Sequence, residues 1–203
     1  MKKLGMFIFA LLIIYSLLMF FLEIKTSQEY IRNYFTDIKG PVLFFAVNTT
    51  VCVFLAWGTA LIFSICLMLI SSEGERKERF FLWSQVIIFI YLGCDDRFMF
   101  HEHFGVVFGV KDALILGAIG VVEVILLLGP GNFFRRPGRI RQPVYFAAIF
   151  FGAMIVIDGL FPARMTGRLA LEDLCKLWAY VFLFYFAWEV CRGKVGKIKE
   201  SNQ

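Results

Sequence analysis

Six apolar runs dominate the chain, at about 5–24, 41–70, 80–100, 112–128, 143–161 and 169–191. A helix needs roughly 20 mostly apolar residues to cross a hydrocarbon core about 30 Å thick, and each run approaches or exceeds that length. The rest of the composition leaves no other solvent for them. Of the 203 residues, 60% are hydrophobic and 25 are Phe. A soluble domain of this size has too little interior to hide so much apolar surface. The expectation is an all-α polytopic membrane protein, a six-transmembrane-helix bundle forming one domain over 1–203. The basic start and long run of "MKKLGMFIFALLIIYSLLMFFLEI" read as a retained first span. The run is too long for a signal peptide, and no small-x-small cleavage site follows it.

Basic residues set the orientation. Alternate loops on one side, with both ends of the chain, hold thirteen Lys and Arg, and the other side holds seven. The richer side faces the cytoplasm, so both termini are expected there. The net charge of +5 is explained by this rule rather than by nucleic acid, which is not expected as a partner. Arginines of "GPGNFFRRPGRIRQP" are placed to meet lipid phosphates. The five cysteines carry no CxxC or CxxCH pattern, which leaves no signature of a disulfide framework or zinc ribbon. Neither haem nor a nucleotide is expected.

The first outer loop has helical spacing at Tyr30, Ile31, Tyr34, Phe35 and Ile38. Thr26 and Glu29 fit a capping box, and Gly40-Pro41 ends the segment. A short amphipathic helix lying at the membrane interface is expected, with a lid over the outer face as the alternative.

Polar residues are scarce, and their depths agree. At about 1.5 Å per residue, Asp95 lies about 22 Å into its helix, and Asp158 lies at a similar depth in another of the same direction. Glu172 and Asp173 fall in the first turn of the last helix, with Lys176 one turn deeper, and Asn48, Thr49 and Thr50 fall in the outer third of the second. His101, Glu102 and His103 stand at the outer mouth. Ionisable groups in a membrane are costly, so convergence points to a polar site opening outward.

Carboxylates with imidazole suit Zn²⁺ or Mn²⁺, and carboxylates alone suit Ca²⁺. The candidate metal ligands are Asp95, Asp96, His101, Glu102 and Asp158, with Glu172, Asp173 and Lys176 as candidate catalytic groups. On a straight helix Asp95 and Glu102 share one face, while Asp96 and His103 share another. One metal therefore cannot take them all unless the helix breaks near residue 100. A structural ion-pair network, with Lys176 bridging Glu172 and Asp173 along its helix, is the competing reading. Glu123 stands apart toward the cytoplasmic end, at the level of Ser84 and Gln85.

The stretch "LGCDDRFMFHEH" resembles a DDxFxxHE pattern of uncharacterised bacterial polytopic membrane proteins, carried by Asp95, Asp96, Phe98, His101 and Glu102. "LEDLCKL", with Glu172, Asp173 and Lys176, resembles a companion motif. The resemblance implies a bacterial inner membrane. A looser similarity joins the chain to the alkaline-ceramidase-like membrane hydrolases, which hold zinc through Asp and several His. Only two His exist here, in one segment, so a three-His site is excluded within one chain. The expectation is a metal-dependent hydrolase of a lipid-borne or extracytoplasmic substrate. An ion or proton transporter or channel is one alternative, and an accessory subunit of a larger membrane complex is another. Membrane lipids are the expected partners, with homo-oligomers left open.

Overall fold

The computed structural model describes residues 2–35, 42, 46–70, 76–162 and 164–201. Ile38, Gly40 and Pro41 lie outside them. Among the described residues the regular structure is helical throughout. The helices are α1 (Lys2–Lys25), α2 (Gln28–Phe35), α3 (Val47–Met68), α4 (Arg76–Phe98), α5 (Phe100–Phe108), α6 (Asp112–Leu128), α7 (Gly138–Leu160) and α8 (Arg168–Ser201), with a 3₁₀ turn at Phe133–Arg135.

The boundaries follow from local chemistry. Gly129, Pro130 and Gly131 stop α6, Pro137 opens α7 and Pro162 follows its end. Gly109 takes the left-handed conformation that closes α5. Among the described residues four helices are long and apolar enough to cross a membrane: 5–25, 47–68, 138–160 and 168–196. The other two expected spans are shorter. α4 has an uncharged stretch only from Phe80 to Cys94, between Arg79 and Asp95, and the apolar part of α6 runs from Leu114 to Leu128. Within the 41–70 run the described helix spans Val47–Met68, and the last helix continues through the basic tail to Ser201.

The core lies among α3, α4 and α8. Phe63 of α3 sits at its centre, stacked on Phe89 and edge-on to Phe81 and Phe186. α7 packs along α8 through Phe146, Phe150, Trp178 and Phe182. Such aromatic pairs add to plain burial and fix the two helices in register. α1 flanks this core, with Met19 buried in it and Phe7 and Leu17 over 60% exposed.

One buried acid ties α1 to the bundle. Glu23 is 1% exposed and accepts hydrogen bonds from the backbone N–H groups of Gly167 (2.9 Å) and Ala170 (2.7 Å). The first N–H groups of a helix have no partner within it, and the helix dipole favours a carboxylate there. Glu23 thus caps α8 from another helix, while Gly167 turns the chain at φ 84. Glu23→Ala is expected to destabilise the protein by about 2 kcal/mol, because two buried donors lose their acceptor. Thermal unfolding in mild detergent measures this, and Glu23→Gln, which keeps one acceptor, is expected to lose less.

α2 is present at the expected place, but its apolar face turns inward. Ile31 and Phe35 are fully buried. Ser27, rather than Thr26, caps it by accepting from the Tyr30 N–H, while the Thr26 hydroxyl donates to the Leu22 carbonyl.

Candidate functional site

At one end of the bundle a cavity of about 480 Å³ opens between α2, α3, α4, α5, α6, α7 and α8. Its wall includes Asp95, Asp96, His101, Asp158, Glu172, Asp173 and Lys176. Four residues predicted as metal ligands and all three predicted as catalytic groups therefore come together. The side chain of the fifth ligand, Glu102, lies outside the described residues. Arg32 and Arg168 complete the wall, and Phe35 of α2 covers part of it.

The helix breaks where the sequence demands a choice. Met99 has φ 53, a left-handed conformation that costs a non-glycine residue of order 1–3 kcal/mol. The break separates α4 from α5 and swings His101 back over the end of α4. Asp95, 1% exposed, then holds His101 twice. Its Oδ1 accepts the backbone N–H of His101 at 2.8 Å, and its Oδ2 lies 2.8 Å from Nδ1 of the imidazole. The first contact caps α5, and the second fixes the orientation of the ring. On an unbroken helix the pair, six residues apart, would stand on different faces. His103 lies outside this arrangement, with its Nδ1 2.8 Å from the Met99 carbonyl.

Two further clusters line the cavity. Lys176 lies 3.3 Å from Asp96 of α4 and 3.3 Å from Asp173 of its own helix. The expected Lys176–Glu172 contact is replaced: Glu172 pairs with Arg168 at 3.4 Å, one turn back along α8. Arg168 also donates to Asp158 of α7 at 2.7 Å. Glu172 has a cation available on both sides, and only the interhelical geometry decides between them. Sequence reasoning counts Arg168 as a loop charge and misses its role. Its signal is its place four residues before Glu172.

Asn48 donates to the Asp173 carbonyl at 3.2 Å, and the Thr49 hydroxyl donates to the Phe35 carbonyl. These bonds hold α3 to α8 and α2. Among the described residues, two buried atoms of this wall, Asp96 Oδ2 and Arg168 Nε, have no hydrogen-bond partner. An acceptor and a donor are thus left for something in the cavity. Among the described residues no group of three or more His, Cys, Asp or Glu stands together as a metal would require. The carboxylates are drawn onto Lys176 and Arg168 instead.

Glu123 lies elsewhere. Its carboxylate accepts a hydrogen bond from Gln85 at 2.9 Å, joining α6 to α4, in keeping with their matching depths. It sits seven residues below Leu116 in the cavity wall, or about 10 Å.

Fold and site together define an all-α protein with helices of membrane-crossing length and a charged cavity at one end of the bundle. A family model described as "Domain of unknown function (DUF8692)" matches residues 5–190, and the chain belongs to that family. Neither the curated proteins nor the solved structures yield a match.

Proposed function

We propose that the chain is an integral protein of the bacterial inner membrane with six spans and both termini in the cytoplasm, and that its outer cavity is an acid–base site hydrolysing a lipid-borne or extracytoplasmic substrate. Exposed apolar residues support counting α4 and α6 as spans. Phe80, Trp83, Ile87 and Ile90 form a lipid-facing stripe on α4, and Val121, Val124, Ile125 and Leu128 are exposed on α6. Their apolar stretches are short for a bilayer, which local thinning or packing against longer neighbours accommodates.

The observation that carries the hydrolytic reading is the double hold of Asp95 on His101. A general base works when a second group fixes its tautomer and direction. In the proposed step the imidazole takes a proton from water through its other nitrogen, while Nδ1–H donates to Asp95. The water oxygen bonds to the electrophilic carbon or phosphorus of the substrate. Lys176 and Arg168 face the oxygen that gains charge. The imidazolium then returns its proton to the leaving group as the scissile bond breaks.

A divalent metal, Zn²⁺, Mn²⁺ or Ca²⁺, would use Asp96 and Asp158 only after displacing Lys176 and Arg168. The acid–base reading needs no such displacement. The test offers purified protein a panel of phospholipid, ceramide and aryl-ester substrates, with and without each metal, beside elemental analysis. Turnover without added or bound metal supports acid–base chemistry, and turnover that follows metal content supports the metal-dependent form. No turnover under any condition overturns the reading.

The half-buried Glu123, paired with the buried Gln85, favours one second reading, an ion or proton path. Under the hydrolytic proposal Glu123→Gln leaves turnover within about twofold, since the residue lies outside the cavity, about two helical pitches below it. Under the transport reading the same change abolishes flux into proteoliposomes. Measuring both on one preparation separates them.

A further inference from the structure

The opposite end of the bundle carries a second cavity of about 1070 Å³, between the end of α3, the start of α4, the α6–α7 connection and the end of α8. Its chemistry is the reverse of the first. Arg135, Arg136, Arg139, Arg192 and Lys194 line it, against Glu78 and Glu200. Glu189, 2% exposed, lies beside it, with Arg192 at 3.2 Å and Arg139 at 3.7 Å sharing its carboxylate. Lys194 takes Glu78 at 2.9 Å. Among the described residues these groups leave two positive charges in excess, and Arg135 is exposed with no acidic partner.

The cavity is also built rather than merely charged. Arg136 donates through Nε to the Gly131 carbonyl at 2.7 Å, and its guanidinium lies 5.1 Å from the Phe81 ring centroid. Phe133 is buried beneath the turn and Phe134 is 69% exposed next to Arg135. An exposed aromatic beside arginines, at the end of apolar helices, is what the headgroup layer of a bilayer accommodates. Guanidinium groups match phosphate oxygens in charge and in fork geometry.

We propose that this cavity binds a phosphate-bearing anion, presented by an anionic lipid headgroup or free in solution. Arg135 and Arg192 supply the charge, and Arg136 shapes the wall. The site is independent of the hydrolytic reading of the other cavity.

The test uses the full chain in mild detergent, with saturable binding followed by native mass spectrometry. The probes are cardiolipin, phosphatidylcholine and inorganic pyrophosphate. Cardiolipin is expected to bind more tightly than phosphatidylcholine. The Arg135→Gln/Arg192→Gln variant is expected to weaken it by about tenfold or more, as loss of charge-assisted bonds does. Arg164→Gln, at the other end of the bundle, is expected to leave it unchanged. Should the double variant fail to fold, Glu78→Gln decides. It releases Lys194 and is expected to tighten binding, a gain that misfolding does not produce. Competition by pyrophosphate assigns a free phosphate compound, and its failure to compete assigns the lipid. Equal binding of cardiolipin and phosphatidylcholine, cardiolipin binding untouched by the double variant, or an unchanged affinity in Glu78→Gln overturns the proposal.

Discussion

Lys176→Met is expected to lower the stability of the protein by about 3 kcal/mol, the low end for breaking a buried ion pair. Lys176 is the one described cation within 4 Å of both Asp96 and Asp173. The Asp96 side chain is 5% exposed and that of Asp173 is 12% exposed, so water only partly replaces the ammonium when it is gone. The Lys176 side chain itself keeps 23% exposure toward the cavity, which places the cost at the lower end. Adding Asp96→Asn and Asp173→Asn to Lys176→Met is expected to recover most of the loss, because the triple variant buries no unpaired charge. Thermal unfolding of the three proteins in one detergent checks this. Equal midpoints for the wild type and Lys176→Met would show that the triad does not hold α4 to α8.

His101→Gln is expected to reduce turnover about a thousandfold, within the range that a positioned general base contributes. Glutamine retains hydrogen-bonding capacity but cannot take up the proton. The backbone N–H of His101 still reaches Asp95, so α5 keeps its cap and the unfolding temperature is expected to stay close to that of the wild type. Asp95→Asn is expected to lower turnover about a hundredfold or more, through loss of the charge that steadies the imidazolium. Activity and unfolding are measured on each preparation, with whichever substrate of the panel the wild type converts. Full activity in His101→Gln would remove the imidazole from the mechanism and return the role to Glu172 or Asp173.

The depths of the polar groups are legible in the sequence, and their partners are not. Counting residues along apolar runs places Asp95, Asp158, Asp173 and Lys176 in one layer, because a helix converts residue number into distance at a fixed rate. The same counting shows that Asp95 and His101 can meet only if the helix breaks. It does not place the break at Met99, since nothing in a methionine side chain favours a left-handed backbone. Pairing fails where two cations compete for one acid. Glu172 has Arg168 four residues before it and Lys176 four after, and sequence spacing treats these alike. Asp96 takes Lys176 and Arg168 takes Glu172, an outcome set by α3, which packs against both α4 and α8 and holds them in place. Glu23 escapes a sequence reading for a related reason. At the end of the first apolar run it reads as a boundary charge, and its role as the cap of α8 involves residues about 145 positions away.

α8 runs unbroken for 34 residues, about 50 Å, and belongs to both cavities. Lys176 stands in the wall of one and Lys194 in the wall of the other, eighteen residues or about 27 Å apart along the axis. A continuous helix is stiff along its length, so it behaves as a pushrod. Sliding its basic end by one ångström carries Asp173 and Lys176 past Asp96 by nearly the same amount. Of the two contacts at 3.3 Å, that between Lys176 and Asp173 travels with α8, so the one between Lys176 and Asp96 is where such a stroke would be felt.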